Sequence, residues 1–127
     1  MENLLKTLLI IIFFSSNSLF SQDTKAPSVK VKSGILEYKI EMNGYAVISA
    51  ISLDDGSIDD TSPQDKLKFY FGGDTSVKEL RFTCNDLNFN ECKQELIIEE
   101  RLWVQDEAGN VDYNNAVLKV VENPNIC

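Results

Sequence analysis

Histidine is absent from all 127 residues of the chain. That absence removes the commonest general base, the usual zinc ligand and the serine-histidine-aspartate arrangement together. Basic residues are also scarce, 12 Lys and Arg against 20 Asp and Glu, and the net charge of −8 repels nucleic-acid phosphates and anionic lipid. Neither nucleic acid nor stable insertion into a membrane is therefore expected of it. The length excludes the large catalytic barrels and doubly wound sheets.

The one long apolar run is Leu8 to Phe14, preceded by Lys6 and followed by Ser15-Ser16-Asn17. This is the layout of a cleavable secretory signal, and the run is shorter than the roughly 18 residues of a spanning helix. Residues 1–21 are read as the signal peptide, with cleavage after Ser21, and residues 22–127 as one domain. No cysteine stands at the end of the run to carry a lipid anchor. The expected location is secreted or extracytoplasmic, in the periplasm or at the cell surface.

In that compartment disulfides persist, and the three cysteines are Cys84, Cys92 and Cys127. The odd count leaves one over. Pairing Cys84 with Cys92 closes a short polar loop and removes roughly 2.5 kcal/mol of unfolded-chain entropy, so this bridge is favoured. Cys127 is then a free thiol, a handle for an intermolecular bridge, or a partner that displaces Cys92.

Strand periodicity runs through the rest. Leu36, Tyr38, Ile40 and Met42 alternate with charged residues, and Asn43-Gly44 is read as the turn of a hairpin into a strand from Tyr45 to Ile51. A turn-rich acidic loop spans Asp54 to Asp65. Leu67, Phe69 and Phe71 alternate next, and a further strand is predicted over Val77 to Thr83. Glu91 to Val104 has residues that tolerate a helix, yet Leu96, Ile98, Leu102 and Val104 fit a strand. Asp106 to Asn110 is a tight turn, and Ala116, Leu118 and Val120 mark a last strand. About seven short strands separated by turn chemistry predict an all-β, antiparallel sandwich.

Five segments carry a resemblance to a family: Asp23-Thr24-Lys25-Ala26-Pro27, Leu67-Lys68-Phe69, Phe82 to Leu87, Leu102 to Asn110, and Val111-Asp112-Tyr113. In these the chain resembles the immunoglobulin-like and hyalin-repeat-like (HYR-like) modules of bacterial secreted and surface proteins, gliding-type adhesins included. The resemblance implies an immunoglobulin-like antiparallel β-sandwich and an extracytoplasmic setting, and it carries no catalytic residue. Such modules often hold cysteines where this chain has Asp60-Thr61 and Asn114, which leaves Cys84 to find a local partner.

The functional expectation is a non-catalytic binding or structural module, its partner a protein or a surface glycan, with no organic cofactor. One alternative is a calcium-dependent adhesion module, because Asp54, Asp55, Asp59 and Asp60, with Asp106, Asn110 and Asp112 as a second cluster, are hard oxygen donors of the kind Ca²⁺ takes. Aspartates also populate turns for their own backbone bonds, and the spacing is not that of an EF-hand loop. Further alternatives are a small carboxylate-based hydrolase and an inhibitor-like binder presenting Asn85 to Glu91. Trp103 is expected in or beside the core, and Tyr45, Tyr70 and Phe71 as an exposed aromatic patch.

Overall fold

A computed structural model describes residues 22–90 and 93–127. The signal peptide assigned to residues 1–21, and Cys92, lie outside the described residues. Seven strands are present among those described: β1 Ile35–Lys39, β2 Ala46–Ser49, β3 Lys68–Tyr70, β4 Glu79–Phe82, β5 Asn88–Asn90, β6 Lys93–Gln105 and β7 Val111–Val121. Only short 3₁₀ turns interrupt them. Among the described residues no helix is long and apolar enough to cross a membrane.

The centre of the architecture is the β6–β7 ribbon, paired antiparallel without a break from Glu95↔Val121 to Gln105↔Val111. Its residues explain its length. Leu96, Ile98, Leu102 and Val104 on β6, interrupted by Glu100, and Ala116, Leu118 and Val120 on β7 keep a period of two and turn one face inward. The helix-tolerant stretch before Val104 is thus strand. Asp106 to Asn110 reverses the chain between the two strands, with Gly109 at φ +92°, the left-handed region that glycine enters without steric cost.

Pairing elsewhere departs from the expected hairpin. Gly44 N donates to Glu41 O (2.9 Å), so the turn spans Glu41 to Gly44 and Asn43-Gly44 fills its third and fourth positions. A two-residue hairpin needs that dipeptide at the two central positions. Glu41 N also donates to Tyr45 O (2.9 Å), closing a three-residue loop, and beyond that loop the flanking strands pair in different sheets. β1 pairs with β7 in parallel, Ile35↔Val117 to Lys39↔Val121, and β2 pairs with β4. Met42, expected on the buried face, is exposed at the turn.

The larger sheet, ordered β1-β7-β6-β3 with β5 also on β6, is accordingly mixed and not purely antiparallel. The smaller is the β2–β4 pair. Both contribute to one core: Ile48 and Ala46 of β2 are buried with Phe69, Leu102, Val104, Leu118 and Val120 of the larger sheet, and Leu80 and Phe82 of β4 pack against them. Burying each large aliphatic side chain contributes roughly 1.5–3 kcal/mol.

The covalent tie also differs from the favoured one. Cys84 is bonded to Cys127, with a Cα–Cα distance of 5.6 Å and a sequence separation of 43. Two local turns bring them together. Thr83 and Asp86 form a reciprocal capping box around Cys84, while Ile126 N and Cys127 N both donate to Asn123 O, folding the tail back. The Cys84–Cys92 bridge and the intermolecular use of Cys127 are therefore replaced by an intramolecular bond. Closing the longer loop removes about 4 kcal/mol of unfolded-chain entropy, against about 2.5 for the shorter.

Candidate functional site

Three segments meet at the end of the molecule where β6 turns into β7: the leading segment from Gln22 to Pro27, the acidic loop, and the Asp106–Asn110 turn. Each is drawn there by short polar side chains bonding backbone. Asp106 is 2 % exposed and its carboxylate accepts from Asn110 N (2.8 Å) and Asn110 Nδ2 (3.0 Å). The same Asn110 amide donates to Asp23 O (3.0 Å), which ties the leading segment to the turn. Ser62, also buried, accepts from Glu107 N (3.0 Å) and ties in the acidic loop.

On this frame the carboxylates of Asp23, Asp59 and Asp60 come within 4.8 Å of one another. Such proximity is repulsive unless donors or a cation offset it. Thr61 supplies donors to two of them: its hydroxyl lies 2.7 Å from Asp23 Oδ2, and its N–H donates to Asp59 Oδ2 (3.3 Å). Ser62 N donates to Asp59 Oδ2 (2.9 Å), and this bond is the main reason the Asp59 carboxyl sits below the usual range. The Asp23 carboxyl is lowered too, chiefly by the Thr61 hydroxyl and then by Lys25 N, against the charge of Asp59. Asp59 Oδ1 is shielded from solvent and has no hydrogen-bond partner among the described residues. Three carboxylates fall short of the six to eight oxygens of a Ca²⁺ shell, so carbonyls or water would have to complete one.

The residues singled out in the sequence divide accordingly. Asp59 and Asp60 converge, and Asp106 with Asn110 forms the frame beside them. Asp54 and Asp55 stand outside the group. Asp54 Oδ1 accepts from Ser57 N (2.9 Å) and serves the local turn, while Asp55 is tied through its backbone N to Lys30 O (2.8 Å) in the leading segment. Asp112 lies on β7 opposite Val104, with its Oδ1 on Tyr113 N (2.8 Å). Asp23 was the residue overlooked. It stands in the leading segment before Pro27, and tertiary bonds from Asn110 and Thr61 bring it to the acidic loop.

The aromatic patch is rearranged. Tyr70 and Phe71 are buried, 3 % and 1 % exposed, and only Tyr45 remains open. Tyr70 faces outward by alternation, yet it is covered because its ring stacks with Trp103 on the neighbouring strand at 6.4 Å and 13°. Trp103 is half-buried, packed on its other side by Tyr113 at 4.7 Å, with the Arg101 guanidinium 4.4 Å from the Tyr113 ring centre. The expectation of packing beside the core holds for Trp103. Burial also raises the Tyr70 hydroxyl above its usual range.

No family model, curated protein or solved structure matches this chain.

Proposed function

We propose that residues 22–127 are an exported, non-catalytic binding or structural module of immunoglobulin-like β-sandwich type, acting in the periplasm or at the cell surface. The single observation that carries this reading is the Cys84–Cys127 bond, which is durable only in an oxidising compartment. Two sheets sharing one core, joined by short turns, support the sandwich form. The acidic surface supports solubility outside the cell and argues against nucleic acid as partner.

The test is to express the whole chain, separate cytoplasm, periplasm and medium, and map peptides without reduction. The reading expects a product beginning at Gln22 outside the cytoplasm, with a linked peptide pair containing Cys84 and Cys127. A reduced, uncleaved chain in the cytoplasm overturns it.

A second reading, the calcium-dependent adhesion module, is favoured by one feature: the unpartnered Asp59 Oδ1 among the carboxylates of Asp23 and Asp60. It requires that melting respond to Ca²⁺.

A further inference from the structure

On the side away from β7, strand β6 is paired at both ends and open in the middle. Glu122 N donates to Gln94 O at one end of the ribbon, and Asp106 N donates to Asn110 O at the other, both at 3.0 Å. The register between these bonds is unbroken. In an antiparallel ladder main-chain groups point alternately to one neighbour and the other. Even-numbered residues of β6 therefore bond β7, and odd-numbered residues face away. Of these, Lys93 and Glu95 pair with β5, and Trp103 and Gln105 pair with β3. The N–H and C=O groups of Ile97, Glu99 and Arg101 are left with no main-chain partner among the described residues.

Unpaired strand groups of this kind are a template for another strand. The opening from Ile97 to Arg101 is about 13 Å long at 3.3 Å per residue, room for an extended segment of about five residues. A cavity of about 320 Å³ lies on it, lined by Gly72, Glu99, Glu100, Arg101 and Trp103. Trp103 stands at one end, and in the middle Glu99 and Glu100 lie on opposite faces of the strand. Ile97, 53 % exposed, adds an apolar contact at the other end.

We propose that this opening in β6 receives an extended basic peptide segment of a partner protein, which completes the sheet by main-chain pairing to Ile97, Glu99 and Arg101. The proposal rests on the binding-module reading above and names the site and the partner's chemistry. Charge selects the occupant. Lys or Arg at alternate positions shares the face of the exposed Glu99 and meets its carboxylate, on a chain of net charge −8. A second copy is disfavoured, because two such edges paired antiparallel about Glu99 set glutamate against glutamate. The Arg101 guanidinium is drawn toward β7, over the Tyr113 ring, on the side of β6 away from the opening.

The experiment uses the exported chain as the cell processes it, ¹⁵N-labelled, with the capped peptide acetyl-Lys-Val-Lys-Val-Lys-amide as probe. The amide signals of Ile97, Glu99 and Arg101 should shift, and their hydrogen exchange should slow about tenfold at saturation. Methylating the backbone nitrogens of alternate probe residues keeps charge and side chains but removes the donors, and should weaken binding by about tenfold. Glu99→Gln, on an exposed side chain, should weaken it severalfold and leave the melt unchanged. Equal binding of the methylated probe, or no shift at these three amides at millimolar peptide, overturns the proposal. So does a neutral hexose oligosaccharide that shifts the Trp103 indole when the peptide does not. Any of these outcomes with Gln22 as the first residue and the disulfide intact leaves the module reading standing, so the two failures are distinguishable.

Discussion

Replacing Cys84 and Cys127 by serine opens a loop of 43 residues that encloses β5, β6 and β7. In the chain-entropy account the denatured ensemble then regains about 13 cal/mol/K, or about 4 kcal/mol at 25 °C. For a domain of roughly a hundred residues this lowers Tm by roughly 15–20 °C. Urea titration of residues 22–127, made in a Cys92→Ser background so that no thiol can exchange, measures the loss directly. The slope should also rise, because the uncrosslinked chain exposes more surface when unfolded. The two rival pairings separate cleanly in single variants. If Cys84 is bonded to Cys127, Cys127→Ser costs as much as Cys84→Ser. A neutral Cys127→Ser, together with a loss of about 2.5 kcal/mol in Cys92→Ser, refutes the pairing and restores the short loop.

Asp106→Ala should destabilise by roughly 1–3 kcal/mol in the same titration, since it strips the buried turn of the acceptor for Asn110 N and Nδ2. Asp106→Asn, which keeps one acceptor oxygen, should cost less. Acid should loosen the turn after β3. Ser76 N and Oγ both bond Asp74 Oδ1, and the Asp74 carboxyl is held below its unfolded value, mainly by the Ser76 N–H bond. The unfolded chain binds the proton first, so this contribution is present above about pH 4 and is lost as pH falls through the folded value. Trp103 fluorescence should report it, because Gly73 of that turn lies against the indole, and Asp74→Asn should flatten the response. At the other extreme Tyr70, raised by burial, makes stability fall as pH climbs above about 10, where the unfolded phenol ionises first. Finally, Ca²⁺ at matched ionic strength should raise Tm by several degrees if the Asp23, Asp59 and Asp60 carboxylates hold it, and Asp59→Asn should abolish the rise. A melt indifferent to Ca²⁺ and chelator would end that reading.

Strands were legible where alternation is strict, and their partners were not. Ala116, Leu118 and Val120 announced β7, and Asp106 to Asn110 announced its turn, because both signals are local. Period two says which face is buried but is silent on the neighbour. Thus the parallel partner of β1 stayed hidden, and Asn43-Gly44 announced a turn but not which strands would pair beyond it. Tyr70 read as outward by alternation, and so it is; its burial comes from Trp103, more than thirty positions along the chain. The candidate site was half legible for the same reason. Asp59 and Asp60 stood out as a cluster, whereas Asp23 joins them through a bond from Asn110 that spans 87 positions.

The bond between Cys84 and Cys127 also determines how the molecule would bear load. If the chain is pulled by its two ends, force entering at Cys127 passes through the sulfurs to Cys84 and bypasses everything between. Strands β5, β6 and β7 then carry no direct tension along their own backbone, and the β6–β7 ribbon cannot be peeled from its C-terminal end. At roughly 3.5 Å per extended residue, about 150 Å of contour stays out of reach until the bond is reduced. A tethered molecule would extend first through residues 22–84 alone, roughly 200 Å of contour, and would gain the locked length only on reduction, a two-step extension visible to a force probe.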